Sequence, residues 1–318
     1  MTVHTASRRT FLHAAGVLAG GGLIGRYAPD ALLDAFQPSA LEARRAQLAG
    51  NPIETTKLAD RLWMLSGAGG NVVVLQASIG KIVVDGFVKP AWPKLKAALD
   101  ALGDSPIKSM IDTHWHFDHA DNNGNFRAAG AGVIAHENTK HRLLESHDLL
   151  GMLFDPVPSA ELPTQTFSAG LTLNAKPEQI DLRHVAPAHT DTDIFVFFPQ
   201  ANVLHMGDVF FNGFYPFIDA STGGHINGMI DGVAAALKIV NANSKIVPGH
   251  GPLGTRPSLE AYRRMLTSVR DRVGALKASG KSLADVQAAK PSAEFDELWG
   301  KGMLAPDAFV ALVYNTLR

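Results

Sequence analysis

Four side chains that can bind a metal ion stand within six residues of this sequence, in the segment HWHFDH at positions 114–119. Imidazole and carboxylate groups are the ligands that zinc accepts when thiolates are absent, and the chain contains no cysteine. The segment directly follows an apolar run at 107–111 that predicts a short buried strand. A loop at a strand end is released from the alternation of strand side chains, so it can turn all four groups toward one point. The spacing therefore predicts a metal site.

Three further metal-binding side chains lie downstream, each in a loop after a predicted strand. His189, Asp208 and His250 all follow short runs rich in apolar and β-branched residues. Functional residues of layered αβ folds gather at strand ends along one edge. The sequence therefore predicts a single site built from five histidines and two aspartates. These ligands are His114, His116, Asp118, His119, His189, Asp208 and His250.

Strands and helices interleave along the chain that must position these ligands. β-Branched and apolar runs predict strands at 58–66, 71–77, 81–85, 107–111, 132–135, 167–173, 179–185, 193–198, 202–206 and 245–247. Apolar residues at helical spacing predict helices at 92–102, 139–150, 230–240, 258–278, 282–289 and 305–317. Three prolines predict a long loop at 151–166. The alternation of hairpins with β-α units favours a layered αβ domain.

The composition is that of an ordinary globular protein, with 46% hydrophobic and 19% charged residues among 318. The 29 basic and 30 acidic residues nearly balance, and no basic patch stands out. Nucleic acid is therefore not expected as a partner. The expected partner of the site is a small-molecule substrate, and the sequence predicts no particular oligomeric state.

The segment SRRTFL at 7–12 resembles the twin-arginine export signal of bacteria. The apolar stretch at 11–25, rich in Ala and Gly, is too short to span a bilayer comfortably and predicts the core of a signal peptide. We expect cleavage between about Tyr27 and Arg45. The twin-arginine export machinery is then a partner, and the mature protein is periplasmic or secreted, with no stable membrane span after cleavage.

The seven ligands, in their order along the chain, resemble those of the metallo-β-lactamase superfamily. The resemblance includes the Gly-Asp pair at 207–208, the Gly-His-Gly at 249–251 and the Asp-Gly pair at 85–86, and it covers about residues 55–255. It implies an α/β (α+β) fold, a four-layer αββα sandwich with the site along one edge.

The domain organisation expected from this resemblance has three parts. Residues 1–40 form the twin-arginine signal peptide and linker, 41–255 form the catalytic domain, and 256–318 form a helical C-terminal extension of the same domain.

The resemblance also implies two zinc ions and their ligands. The ligands of the first zinc are His114, His116 and His189, those of the second are Asp118, His119 and His250, and Asp208 bridges the two. A hydroxide between the metals would be the nucleophile, because two adjacent dications lower the pKa of a bridging water. Asp118 would act as the catalytic residue that orients this nucleophile or relays a proton.

Two positions distinguish the chain from the most familiar zinc β-lactamases. Those enzymes carry a cysteine where Asp208 stands and a basic residue where Phe211 stands. Both departures weaken the expectation of efficient β-lactam hydrolysis. The predicted reaction is the opening of a cyclic amide or ester, β-lactamase-like or lactonase-like.

Other functions remain open on the same ligand set. A glyoxalase-II-like thioesterase keeps the aspartate, but the aromatic, uncharged segment at 210–217 replaces the basic residues of that family. An iron-dependent sulfur dioxygenase would use these ligands to bind Fe instead of zinc. Phosphodiester cleavage is disfavoured by the near-neutral charge and the absence of an evident basic cluster.

Substrate contacts are expected from glycine-rich and aromatic segments around the site. The segment at 210–217 either lines an apolar pocket or packs beneath the site, and the loop at 151–166 covers the site from another side. The hydroxyl of Tyr215 is expected to donate to a developing oxyanion. The predicted contact residues are Gly70, Asn71, Phe154, Phe211, Tyr215 and His225.

Overall fold

The computed structural model describes residues 39–317. The chain divides into two units, Met1–Ala43 and Arg44–Arg318, and of the first unit only residues 39–43 are described. The twin-arginine motif and its apolar stretch lie outside the described residues, so the signal peptide and the three-part organisation stay predictions. No helix within residues 39–317 is long and apolar enough to cross a membrane.

The strands of the described part are numbered in chain order. They are β1 (Glu54–Ala59), β2 (Leu62–Ser66), β3 (Val72–Ala77), β4 (Gly80–Val84), β5 (Ile107–Ile111), β6 (Gly132–His136), β7 (His147–Leu149), β8 (Met152–Phe154), β9 (Gln165–Phe167), β10 (Gly170–Ala175), β11 (Glu178–His184), β12 (Ile194–Phe198), β13 (Val203–His205) and β14 (Lys245–Val247).

The helices are numbered in the same way. They are α1 (Ala40–Gly50), α2 (Trp92–Ala101), α3 (Phe117–Ala120), α4 (Asn123–Ala128), α5 (Glu137–Leu143), α6 (Ile226–Ile239), α7 (Arg256–Ala278), α8 (Leu283–Ala288), α9 (Asp296–Trp299) and α10 (Pro306–Thr316).

Two sheets form the centre of the fold. The first has the strand order β1-β2-β3-β4-β5-β6-β9, and the second has the order β10-β11-β12-β13-β14. Apolar side chains from both sheets meet in one buried cluster that includes Val73, Leu75, Ile111, Leu182 and Val196. Strand β4 is buried along its whole length, as expected for a strand that is covered on both faces.

Helices cover the outer faces of both sheets. Leu95 and Leu99 of α2 pack against the first sheet, while α6, α7 and α10 pack against the second. Helix α7 begins at a capping box, in which Thr255 accepts from the backbone N–H of Ser258 and the Ser258 side chain accepts from that of Thr255. The four layers confirm the predicted αββα sandwich with a helical C-terminal part.

The structure differs from the predicted elements at three places. The run at 58–66 is two strands, because the chain turns at Arg61, whose φ of 55° lies in the left-handed region. The helix predicted at 139–150 ends at Leu143, and β7 and β8 then form a hairpin, so the first part of the loop predicted at 151–166 is a strand. The strand predicted at 167–173 is split, since β9 pairs with β6 of the first sheet and β10 with β11 of the second. Apolar runs do not reveal such turns, because both sides of each turn are partly buried.

Candidate metal centre

The predicted ligands lie after the ends of four strands along one edge of the sandwich. His114 and His116 follow β5, and α3 then carries Asp118 and His119. Asp208 lies in a 3₁₀ turn after β13, and His250 follows β14. Strands β13 and β14 are parallel neighbours, so their carboxyl ends meet at the same edge and bring these last two ligands together. His189 lies in the loop between β11 and β12.

The structure brings all seven side chains together in two groups. Within each group, the possible ligand atoms all lie within 4.8 Å of one another. The first group is His114, His116, His189 and Asp208, and the second is Asp118, His119 and His250. Five of the seven side chains are buried, whereas Asp118 and His250 open partly to solvent, with 14% and 21% of their side chains exposed.

Asp208 lies between the two groups. Its Oδ2 is 3.5 Å from Nε2 of His189 and 3.8 Å from Nε2 of His114, both in the first group. Its Oδ1 is 3.2 Å from Nε2 of His119, and its Oδ2 is 3.4 Å from Nε2 of His250. One carboxylate is therefore within reach of ions held by either group.

Each of four ligand histidines has one ring nitrogen occupied by a partner outside the cluster. The pairs are His114 Nδ1 with Thr113 Oγ1 at 3.1 Å, His116 Nε2 with Asp219 Oδ2 at 3.2 Å, His119 Nδ1 with Asp85 Oδ2 at 2.8 Å and His189 Nδ1 with the carbonyl oxygen of Phe217 at 2.9 Å. Such partners set the tautomer and orientation of a ligand histidine. The other nitrogen of each ring then faces the cluster.

The donor set fits a metal ion. Among residues 39–317, Nε2 of His114 and Oδ1 of Asp208 are buried without a hydrogen-bond partner, which is costly unless something binds them. Inward-facing ring nitrogens also approach one another, at 2.9 Å between His189 and His116 and 3.3 Å between His119 and His250. Cations held by the two groups would accept lone pairs from these atoms.

The ionisation of the cluster also suits metal binding. Burial lowers the pKa of His189 to about 4, and burial and the neighbouring His119 hold the pKa of His114 well below its usual range. Both rings are thus neutral and able to donate lone pairs. Burial acts on His250 in the same direction, but the carboxylates of Asp208 and Asp118 outweigh it and raise the pKa of His250 to about 9. A metal ion must displace that proton.

Residues 65–268 match the family model of the metallo-beta-lactamase superfamily, which is well over half of the chain. The chain belongs to the metallo-beta-lactamase superfamily. The resemblance stated from the seven ligands is thereby confirmed for the family, while the twin-arginine signal peptide remains a prediction.

Solved structures share the fold of this chain at low sequence identity. A metallo-beta-lactamase from Pontibacter korlensis superposes with a TM-score of 0.54 at 18% identity, over 68% of this chain and 99% of that chain. The inverting sec-alkylsulfatase Pisa1 from a Pseudomonas species superposes with a TM-score of 0.69 at 12% identity, over 88% of this chain and 53% of that chain. At these identities the likeness shows the fold alone.

A curated relative is the alpha subunit of 2,4-dinitroanisole O-demethylase from Nocardioides sp. (strain JS1661). It is 23% identical over 163 residues, which are 50% of this chain and 47% of the relative. The chain thus matches about half the length of that protein.

Two glycines of this superfamily member let the cluster close. A Cβ added at Gly249 would lie 1.8 Å from Oδ1 of Asp208, and one at Gly70 would lie 2.0 Å from Cε1 of His119. Both distances are too short for a real Cβ atom, so only glycine fits at these two positions. Gly70, predicted to contact substrate, therefore packs against the ring of a ligand instead.

Asn71 is a second predicted substrate contact that supports the cluster instead. Its side-chain amide is buried and donates to the carbonyl oxygens of Pro248 at 3.0 Å and Gly251 at 2.9 Å. These residues flank His250, so Asn71 holds the loop that carries this ligand.

The aromatic residues predicted to touch substrate lie deeper than expected. Phe211 is fully buried and stacks on the His250 ring with centroids 5.4 Å apart. Tyr215 is fully buried, and its hydroxyl donates to Oδ1 of Asp296 at 2.7 Å. The proposed oxyanion contact of Tyr215 therefore does not fit this placement, because its hydroxyl points into the C-terminal helices.

Phe154 and His225 also lie away from the ligand atoms. Phe154 packs edge-on against Trp115, with ring centroids 5.8 Å apart, and supports the loop behind the ligands. His225 caps α6, where its Nδ1 accepts from the backbone N–H of Gly228 at 2.9 Å. The His225 side chain lines a separate surface groove beside α6.

A cleft of about 260 Å³ opens beside the cluster. His116, Asp118, Asp208 and His250 form its metal-binding wall. The remaining wall residues are Arg44, Leu48, Phe117, Leu149, Leu150, Met152, Phe214, Phe217, Gly302 and Met303. Part of this wall comes from the two segments predicted at 210–217 and 151–166.

Several functional residues escaped sequence reasoning. Asp219 and Thr113 orient ligand histidines, whereas Arg44, Leu150 and Met303 reach the cleft from elements distant in the chain. No local pattern marks them, because their roles depend on which elements the fold brings together.

Proposed function

We propose that the protein is a zinc-dependent hydrolase with two zinc ions, which opens a cyclic amide or ester. The observation that carries the proposal is the placement of Asp208 between two ligand groups, each with at least three ligands. His114, His116 and His189 would hold the first zinc, Asp118, His119 and His250 would hold the second, and Asp208 lies within reach of both.

Bound zinc supplies Lewis acidity and lowers the pKa of water toward neutrality. The protein contributes a fixed set of charges around the reacting atoms. Burial alone would raise the pKa of Asp118, but His119 and His250 outweigh burial and lower that pKa to about 2. Asp118 is thus ionised at neutral pH and partly open to the cleft, where its carboxylate can hold a nucleophilic water or accept its proton.

The cleft favours a small, largely apolar substrate. Its volume of about 260 Å³ is slightly below the usual range of small-molecule sites. Phe117, Phe214 and Phe217 provide aromatic surface beside the ligands. The buried Phe211 leaves no cation at the position where the most familiar zinc β-lactamases carry one, so we expect lactones and simple esters to be better substrates than β-lactams.

A second candidate substrate is an activated aryl methyl ether. The curated relative is named for O-demethylation of 2,4-dinitroanisole, and the aromatic walls of the cleft suit a flat ring. The glyoxalase-II-like alternative is less favoured, because Arg44 is the one Lys or Arg among the residues that line the cleft. The iron-dependent sulfur dioxygenase alternative uses the same ligands. Measuring whether the protein contains iron or zinc distinguishes it from the hydrolase.

We also propose that the protein works in the periplasm or outside the cell after twin-arginine export. The support is the SRRTFL segment at 7–12 and the apolar stretch that follows it. Fractionation of cells that express the full chain, with an Arg8→Lys, Arg9→Lys variant as the control, tests this proposal. Equal export of both proteins would contradict it.

The central experiment is a hydrolysis screen on the chain from about residue 39 onward, loaded with zinc. It covers lactones, β-lactams, thioesters, phosphodiesters and 2,4-dinitroanisole, with elemental analysis of the same sample. We expect two zinc ions per chain, loss of activity with chelator and recovery with added zinc. Activity that survives complete metal removal would overturn the proposal. One iron per chain with oxygen consumption would establish the dioxygenase instead.

A further inference from the structure

The cleft beside the metal cluster contains one permanently cationic side chain among its lining residues, that of Arg44. The other basic groups there, His116 and His250, belong to the ligand set. Arg44 lies in the first half of α1, an element far from every ligand in sequence. Arg44 therefore reaches the cleft only because the tertiary structure brings its helix close to the ligands.

Arg44 is held at this place by its neighbour. Arg45 Nε donates to Oδ2 of Asp121 at 2.7 Å, and a second guanidinium nitrogen donates to Oδ1 of the same carboxylate. Asp121 also accepts from the backbone N–H of Lys89 at 2.9 Å. Because Asp121 comes two residues after the ligand His119, this partly buried pair fastens Arg45, and with it the adjacent Arg44, beside the metal cluster.

The guanidinium group of Arg44 has no carboxylate partner among residues 39–317. Within that range, the Arg44 guanidinium donates to the side-chain carbonyl oxygen of Gln47 at 2.9 Å, one turn along the helix. A guanidinium group offers five donors in a planar fork. Most of that donor capacity remains for an oxyanion that enters the cleft.

The walls around this cation are apolar, and they continue to the surface. Leu150, at the turn of the β7–β8 hairpin, and Met303, in the C-terminal helical part, line the cleft and are 66% and 50% exposed. Phe214 and Leu149 lie on the same walls. These exposed side chains extend the apolar surface that a substrate in the cleft can contact.

We propose that Arg44 binds an oxyanion group of the substrate, so that the site selects small molecules with an apolar body and a carboxylate or sulfonate at one end. The proposal rests on the proposed hydrolase function and names the substrate class of the same site. The scissile carbonyl group lies at the metal-binding wall, the apolar body lies against Leu149 and Phe214, and the oxyanion lies at α1. Arg44 is thus a specificity-determining residue.

The test compares two esters that differ in one charge. The first is mono-4-nitrophenyl adipate, with a free carboxylate, and the second is its neutral methyl ester. For Arg44→Gln, kcat/KM should fall about 10- to 100-fold for the anionic ester, the range expected for a charge-assisted hydrogen bond, and change less than about twofold for the neutral one. For Arg44→Glu, kcat/KM for the anionic ester should fall further. Arg264→Gln, an exposed arginine of α7, is the matched control. An equal fall in kcat/KM of Arg44→Gln for both esters, or no fall for either, would overturn the proposal.

A binding measurement separates this proposal from the hydrolase function. Titration calorimetry with octanoate and with 1-octanol on the zinc-loaded protein needs no turnover. Octanoate should bind about tenfold more weakly to Arg44→Gln than to the parent protein, while the affinity for octanol should not change. If no ester is hydrolysed but this difference holds, the hydrolase function fails and the anion site stands. Equal octanoate affinity in both proteins would overturn the anion site.

The proposal also requires Arg44 in the mature protein. The predicted cleavage window, about Tyr27 to Arg45, ends just past this residue. Intact mass measurement of the exported protein should place its first residue before Arg44. A mature chain that begins after Arg44 would overturn the proposal.

Discussion

The carboxylate of Asp219 lies 3.2 Å from Nε2 of His116 and is itself held by the hydroxyl groups of Ser221 and Thr222. His116 therefore donates its Nε2 proton outward and presents Nδ1 to the metal cluster. Burial works against ionisation of Asp219, yet the hydrogen bonds from His116, Ser221 and Thr222 help to outweigh burial, and the pKa of Asp219 is lowered. The pair sets the tautomer of a metal ligand from a residue more than one hundred positions away.

Asp219→Asn should weaken zinc binding about 10- to 100-fold, the usual effect of losing a carboxylate behind a ligand histidine. Competition with a chromophoric chelator measures the affinity. Asp60→Asn, which removes a carboxylate with 88% of its side chain exposed, is the control and should keep the parent affinity. Unchanged affinity in Asp219→Asn would show that His116 needs no such partner.

Asp208→Asn should reduce the zinc content from two ions to one or fewer and lower kcat by about 10³-fold. The physical reason is that Asp208 lies within reach of both ligand groups, so both lose a charged oxygen. His250→Gln should remove the second zinc while leaving the first group intact. Elemental analysis of the two variants side by side gives the answer, and two zincs in Asp208→Asn would contradict a bridging position.

Metal-free protein should become less stable as the pH rises from about 6.5 to about 9. His250 has a pKa of about 9 in the folded protein against an ordinary 6.5, so its protonation stabilises the fold fully below pH 6.5, and that contribution is lost as pH passes the folded pKa. Over the same range the zinc affinity should rise, because zinc displaces this proton. Chemical denaturation with and without zinc measures both trends. In His250→Gln, the loss of stability of the metal-free protein with rising pH should be smaller.

Gly249→Ala should disrupt the cluster, because the added Cβ would lie 1.8 Å from Oδ1 of Asp208. We expect loss of zinc and a fall of about 2 kcal/mol in the free energy of unfolding. Gly50→Ala is the matched control, since nothing lies within 4 Å of its added Cβ. A Gly249→Ala protein with full zinc content would mean that the Asp208 loop can shift without cost.

Tyr215→Phe should destabilise the protein and leave catalysis intact. The lost hydroxyl donates to Asp296, and a hydrogen bond to a charged group contributes about 2 kcal/mol. The value of kcat/KM should stay within about twofold of the parent. A large fall in kcat with unchanged stability would instead restore the oxyanion role that the sequence suggested for this hydroxyl.

Most of the fold follows from local patterns. The β-branched runs of β3 and β4 and the apolar spacing of α2 and α7 predict these elements within one or two residues of their ends. The β7–β8 hairpin and the split between β9 and β10 are not predictable in this way. Both depend on which sheet a short segment joins, and that choice is made by long-range pairing.

The sequence by itself determined the composition of the site. Four metal-binding side chains stand close together after β5, and His189, Asp208 and His250 each follow a further strand. The sequence predicts ligation at these positions because ligand chemistry is a property of residue type. The tertiary structure decided which ligand atoms face the metal cluster and placed Asp208 between the two ligand groups. It also directed the Tyr215 hydroxyl toward Asp296, away from the metal cluster. It also brought Asp219 to His116 and Arg44 to the cleft. Those relationships join residues far apart in the chain, and only packing brings them within hydrogen-bonding reach.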